Sequence, residues 1–129
     1  MKKIAFVVHR FGKEITGGAE YECLLMAEHL RKYYKIDVLT TCAKEDSTWD
    51  NYYKEGEENY NDIKVMRFLV NSTRQLERYN DIFHIVDSDH EYNEEVNWLI
   101  SQGPYSYDLF RYLHLNYNQY DAVIFMTYL

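Results

Sequence analysis

Ile4-Ala5-Phe6-Val7-Val8, then the segment from Gly18 to Tyr34, then Ile36-Asp37-Val38-Leu39-Thr40-Thr41 decide how this chain folds. A continuous run of β-rich apolar residues leaves no face for water, so the first stretch reads as a strand covered on both sides. From Gly18 onward Ala19, Cys23, Met26, Ala27, Leu30 and Tyr34 recur at helical steps, while Glu22, Glu28, Arg31 and Lys32 fall mostly on the other side. Glu20 and Glu22 near the start and Arg31, Lys32 and Lys35 near the end suit the polarity of the helix dipole. The second apolar run is another strand. Together they make a strand, helix, strand unit whose length suits a right-handed parallel crossover.

Working outward, Cys42 to Asp62 is a polar stretch, unusually long for an inert loop, and is expected to fold over a neighbouring surface. Ile63 to Val70 alternates apolar and polar residues before turning fully apolar, as a strand near a sheet edge does. Leu76, Tyr79, Ile82, Phe83 and Val86 predict a helix between Thr73 and Asp89, with Asn80-Asp81 as a break. A helix over Glu91 to Ser101 carries Val96, Leu99 and Ile100 and stops at Gln102-Gly103-Pro104. Ser106 then reads as an N-cap, with Asp108 in the first turn and Leu109, Phe110, Leu113 and Tyr117 as the apolar stripe. Ala122 to Thr127 closes the chain as a buried strand. The expectation is an α/β fold, a Rossmann-like parallel sheet of about four or more strands flanked by helices. Residues 1–129 form a single domain in this reading. Because the sequence stops on a strand with nothing left to cover it, the natural polypeptide is expected to continue.

Composition narrows the function. Hydrophobic residues are 47% of the chain and the aromatics include 14 Tyr, enough for a real core and too many for a solvated linker. Net charge is −7, with sixteen of the 21 acidic residues after position 41. No basic stripe for nucleic-acid phosphates is present. Lys2-Lys3 and Arg31-Lys32 with Lys35 could touch an anionic membrane surface, although such clusters more often mark a strand start and a helix end. Cys23 and Cys42 form neither a disulfide framework nor a ligand pattern. The apolar run at the amino terminus is too short for a signal peptide or a span. The expected location is the cytoplasm, at most peripheral to the inner face of a membrane.

Open α/β sheets bind ligands at the carboxyl ends of their parallel strands. Three places qualify: His9 to Gly18, the Thr40-Thr41 end, and the Thr127-Tyr128 end. Thr16-Gly17-Gly18 stands directly before the first helix, where free N–H groups can hold an anion; the pair can equally be a plain tight turn. His9 and Arg10 leave the first strand at the cleft edge, within reach of a phosphate, and His9 has the chemistry of a proton acceptor. His29 and His114 fall inside helices. His84 and His90 flank Asp87-Ser88-Asp89 without a metal-ligand spacing, and a solvated acidic face accounts for them.

The Ile4 to Val8 strand, the Thr16-Gly17-Gly18-Ala19-Glu20 turn and the amphipathic helix behind it resemble the amino-terminal domain of GT-B fold glycosyltransferases of the large retaining family four. Trp49 with Tyr52-Tyr53, Gly56-Glu57-Glu58 and Val65-Met66-Arg67-Phe68 resemble the loop after the second strand and the third strand of its bacterial group 1 branch. Trp98-Leu99-Ile100-Ser101-Gln102-Gly103-Pro104-Tyr105-Ser106 and Phe125-Met126-Thr127-Tyr128-Leu129 extend the likeness to the end of the chain. The resemblance implies a two-domain enzyme that moves a sugar from a nucleotide-sugar donor to a glycan or lipid-linked acceptor, with no metal and no further cofactor. Gly17 and Gly18 would face the donor phosphates. His9, Arg10, Glu20, Thr41, Tyr105, Thr127 and Tyr128 are the candidate acceptor or cleft residues, and no catalytic residue is assigned. Thr127 and Tyr128 stand where many relatives place a histidine or an acid. The donor-binding carboxyl-terminal domain is not in this sequence, so the isolated chain is expected to be inactive. A stand-alone flavodoxin-like binding module and a protein-interaction domain are the competing readings.

Overall fold

In the computed structural model, which describes residues 1–75, 77, 80, 85 and 87–126, the chain runs β1 (Lys3–Val7), α1 (Gly18–Leu30), β2 (Lys35–Thr41), β3 (Gly56–Tyr60), β4 (Ile63–Phe68), α2 (Tyr92–Gln102), α3 (Tyr107–Asn116), a 3₁₀ turn (Tyr117–Gln119) and β5 (Ala122–Phe125). One sheet holds all five strands in the order β3-β4-β2-β1-β5. β1 pairs in parallel with β2 on one side and with β5 on the other, and β2 pairs in parallel with β4. Winding therefore proceeds from β1 outward through β2 to β4, then returns to the far side of β1. The α/β fold is thus the Rossmann-like one that the opening stretch predicts, and the reversal lies between β1 and β5. The helix predicted over Thr73 to Asp89 falls largely outside the described residues.

The apolar runs work as their composition dictates. Ala5 and Phe6 are both fully buried. Phe6 and Val8 pack with Cys23 and Ala27 of α1, Val38 of β2, and Ile63 and Val65 of β4. Ala5 and Leu39 meet Tyr112, Leu113 and Tyr120 on the opposite face. Period-two alternation along β1 thus feeds two cores, one under α1 and one under α3.

The polar stretch after β2 holds the strand that sequence reading missed. β3 is Gly-Glu-Glu-Asn-Tyr, poor in β-forming residues and almost wholly exposed, and it runs antiparallel to β4. What makes it a strand is the turn: Asn61 and Asp62 both take positive φ, 48° and 65°, as a two-residue hairpin of the right twist requires. Its charges keep the outer edge from pairing further. The rest of the stretch does fold back over a neighbouring surface, with Trp49 only 5% exposed and its Nε1 donating to Gln102 O at 2.9 Å.

Beneath the amino ends of the strands, Asp37 is 3% exposed. It meets Lys3 Nζ at 3.0 Å and accepts from Tyr120 Oη at 2.9 Å. Tyr112 and Tyr120 hydroxyls lie 3.2 Å apart, which ties α3 and the approach to β5 onto β1 and β2. Burial, with the hydrogen bonds to Tyr112 and Asp37, pushes the Tyr120 phenol well above its ordinary range. Tyr120→Phe leaves this carboxylate with one partner fewer and should cost about 1–3 kcal/mol. Urea unfolding measures it; a change inside about 0.5 kcal/mol, ordinary for a surface site, would show that the hydroxyl holds nothing.

Candidate functional site

The loops after β1 and β2 and the turn before α3 meet where β1, β2 and β5 end. His9 follows Ala5 and Val7 on the α3 face of the sheet and lines a cavity of about 270 Å³ with Val7, Thr41, Tyr105, Leu109, Leu113 and Phe125 among its walls. The cavity sits at the point of reversal, the place where open parallel sheets take ligands. α3 reaches it because Ser106 caps the helix: its Oγ accepts from Leu109 N at 3.3 Å and donates to Leu69 O at 2.8 Å, which sets the helix start against the end of β4. The predicted stripe of α3 is thereby divided. Leu113 packs on the sheet and also lines the cavity with Leu109, whereas Phe110 is 67% exposed at the rim and Tyr117 lies beyond the helix, also exposed.

His9 sits edge-on to Trp49, with centroids 5.5 Å apart. Burial holds its imidazole below its ordinary pKa; Glu20 opposes that shift and Arg10 adds to it. The ring is therefore neutral at pH 7, able to donate from one nitrogen and accept at the other. Thr41 is committed to structure: its hydroxyl donates to His9 O at 2.6 Å and accepts from Ala43 N at 3.2 Å, locking the ends of β1 and β2 together.

The glycine turn lies on the same rim. Gly17 is the N-cap of α1, without a side-chain cap, and the reason for glycine there is close packing. A Cβ at position 17 would run into the Glu20 carboxylate and lie 2.8 Å from Arg10 Nη2. Glu20, a first-turn acid that composition alone would place in water, is 8% exposed and pairs with Arg10 Nε at 2.9 Å. Arg10 also donates to Lys44 O at 2.9 Å and lies over the Trp49 ring, 5.9 Å from its centroid. One guanidinium thus joins the loops after β1 and β2 to the start of α1. Gly18, by contrast, faces open space.

His9, Thr41 and Tyr105 therefore share the cavity, and Arg10 and Gly17 share a polar hollow of about 320 Å³ with Thr16, Lys44, Glu45 and Asp46. Glu20 turns inward between them and Arg10. Thr127 and Tyr128 lie outside the described residues. Among the described residues no group of three or more His, Cys, Asp or Glu could hold a metal ion. Cys23 and Cys42 are free and buried, and burial pushes the Cys23 thiol up to about 12. Trp49, which the sequence offers only as part of the family likeness and not as a site residue, touches His9 on the cavity side and Arg10 on the hollow side. Its signal was a lone tryptophan within a polar stretch.

The two glycines should respond in opposite ways. Gly17→Ala forces the Glu20–Arg10 pair apart and should cost about 1–3 kcal/mol. Gly18→Ala meets nothing and should be neutral or gain up to about 1 kcal/mol. Equal losses at both positions in urea unfolding would contradict this assignment. His9 and His90 form a second opposed pair. His90 is raised by its hydrogen bonds, first to Glu95 and then to Ser88 O. Its contribution to stability is present below the unfolded value of about 6.5 and is lost as pH rises through its folded value. The His9 value is depressed, so the unfolded chain gains a proton first as pH falls below about 6.5, and stability declines until His9 itself protonates. Imidazole proton shifts followed by NMR should give His9 a midpoint below about 6.5 and His90 one above; the reverse order would refute the burial argument.

Comparison of the chain with protein-family models, curated proteins and solved structures finds no match.

Proposed function

We propose that this chain is the acceptor-side half of a retaining glycosyltransferase that uses a nucleotide-sugar donor. The observation that carries the reading is the shared rim: the glycine turn opening α1 and the apolar cavity both lie at the carboxyl ends of parallel strands, beside the reversal. A sugar-transfer site needs two compartments in contact, one for a diphosphate and one for an acceptor, and the link from Arg10 of the polar hollow through Trp49 to His9 of the apolar cavity supports this reading. In the polar hollow Lys44, Arg10 and the positive end of α1 favour anionic oxygens, while Glu14, Glu45 and Asp46 in the same walls oppose them. With Glu20 filling the space beside Gly17, an entering phosphate meets the amides at Gly18. Negative charge on a departing nucleotide would be stabilised there in the transition state. The neutral His9 ring on the cavity side can orient an acceptor hydroxyl.

Donor recognition in such an enzyme belongs to a second domain, so the isolated chain should not turn over nucleotide sugars. No helix of the described residues is long and apolar enough to cross a membrane. The proposed setting is the cytoplasm, with the acceptor presented there or at the inner membrane face.

The test exposes the purified chain to a panel of uridine, guanosine and adenosine diphosphate sugars, following both hydrolysis and binding by calorimetry. The proposal expects no turnover and no binding tighter than about 100 µM, roughly 5.5 kcal/mol. Turnover by the chain alone would refute the two-domain reading. Nucleotide or flavin binding at about 1 µM or tighter, roughly 8 kcal/mol, would replace it with a stand-alone binding module.

A further inference from the structure

The polar groups around the cavity divide into those already satisfied and those that are not. Thr41 and Ser106 spend their hydroxyls on backbone groups. His9 and Tyr105 make no side-chain hydrogen bond to any described residue, and both line the cavity. Among the described residues the remaining walls are hydrocarbon or aromatic, with no Lys, Arg, Asp or Glu. Phe110 and Phe125 stand 67% and 57% exposed at its edge.

We infer that the cavity takes a small uncharged aryl alcohol, with the ring against Leu109, Phe110 and Phe125 and the hydroxyl between His9 and Tyr105. Each feature of the ligand follows from a feature of the wall. A charged group would lose its hydration with no counter-charge to meet it. A sugar ring would bring several hydroxyls to a site with two unspent polar side chains, leaving most of them unpaired. Exposed aromatic rings at the rim favour a flat apolar body, which can stack or meet them edge to face. The volume, about 270 Å³, falls at the small end of ligand sites, which begin near roughly 300 Å³. A hydroxyl can accept from one of the two side chains and donate to the other.

The hollow beside Arg67 has a different character, with Lys13, Glu14, Glu58 and Arg67 in its walls. Arg67 Nη2 already pairs with Glu58 at 2.8 Å and donates to Phe11 O at 2.7 Å, and Tyr53 Oη donates to Glu14 at 2.7 Å. Arg67 Nη1 is still buried there without a partner, and the charged lining, which also includes Lys13, suits a polar occupant and not a neutral apolar one.

As a statement about the acceptor, the inference rests on the glycosyltransferase reading; as a statement about binding it stands apart. The test uses the purified chain and a matched pair of probes, 4-ethylphenol and 4-ethyltoluene, which differ by a hydroxyl in place of a methyl group. Intrinsic fluorescence and calorimetry give the two dissociation constants. The phenol should bind about tenfold more tightly, the effect of one hydrogen bond. Tyr105→Phe and His9→Leu should each bring the ratio toward one, and Phe110→Ala should weaken both probes alike. Because the ratio is taken within each variant, a partly unfolded sample lowers both affinities and leaves it intact. Equal affinity for the two probes in the unaltered chain would overturn the inference, as would phenol binding that survives Leu109→Trp. A complete enzyme that binds the phenol but transfers no sugar would sink the glycosyltransferase reading and leave the site standing. One that glycosylates only polyhydroxylated acceptors, with no phenol binding, would do the reverse.

Discussion

Parallel pairing of β1 on both of its edges is the constraint from which the rest of the molecule follows. A strand hydrogen-bonded on both sides and covered on both faces must be apolar throughout, which is what residues 4–8 are. Because β2 and β5 both run parallel to it, the strand ends of β1, β2 and β5 gather at one rim, and the loops leaving β1 and β2 diverge there. The crevice is the space that this divergence opens. At the opposite end the same three strands are tied by Lys3, Asp37 and Tyr120, whose contacts lie between 2.9 and 3.0 Å. The Lys3–Asp37–Tyr120 network lies at one end of the sheet and the cavity at the other.

At the open end, a few long-range polar contacts add to a small core of Ala43, Trp49 and Val70. Arg10 reaches Glu20 of α1 and Lys44 of the following loop, and Trp49 packs beneath it while bonding to Gln102 at the end of α2. Three segments far apart in sequence are held by two side chains. The Glu20–Arg10 pair lies mostly out of water, with side chains 8% and 11% exposed, so each charge depends on the other for its solvation. Glycine at 17 is the condition for that pairing. The glycine turn therefore has a structural reason at one position and open space at the next.

Much of this was legible in the sequence, and the boundary of legibility is physical. β1, α1 and β2 announce themselves because their burial is periodic and local, and Ser106 because an N-cap is a local device. β3 was hidden: Glu57, Glu58 and Asn59 carry no strand signal, and only the left-handed Asn61 and Asp62 create the hairpin. Glu20 was read as an acid of the first turn, correct in place and silent about its partner, since Arg10 comes to it only through the tertiary fold. The cavity could not be read either. Leu109, Phe110 and Leu113 form an ordinary helical stripe in sequence, and only the placement of α3 against the strand ends shows that part of the stripe overhangs the sheet. His9 was recognisable as a strand-end histidine; its contact with Trp49 was not.

The central claim is that the space beside the reversal point, bounded by His9, Leu109 and Phe110, is a ligand site. Crystals of the chain soaked with 4-bromophenol would test it most directly, because bromine can be located by anomalous scattering without reference to any interpretation of the site. The account predicts one strong bromine position inside that space, with the phenol oxygen between His9 and Tyr105. Bromine ordered instead in the hollow beside Arg67, or at the start of α1 near Gly18, would contradict it.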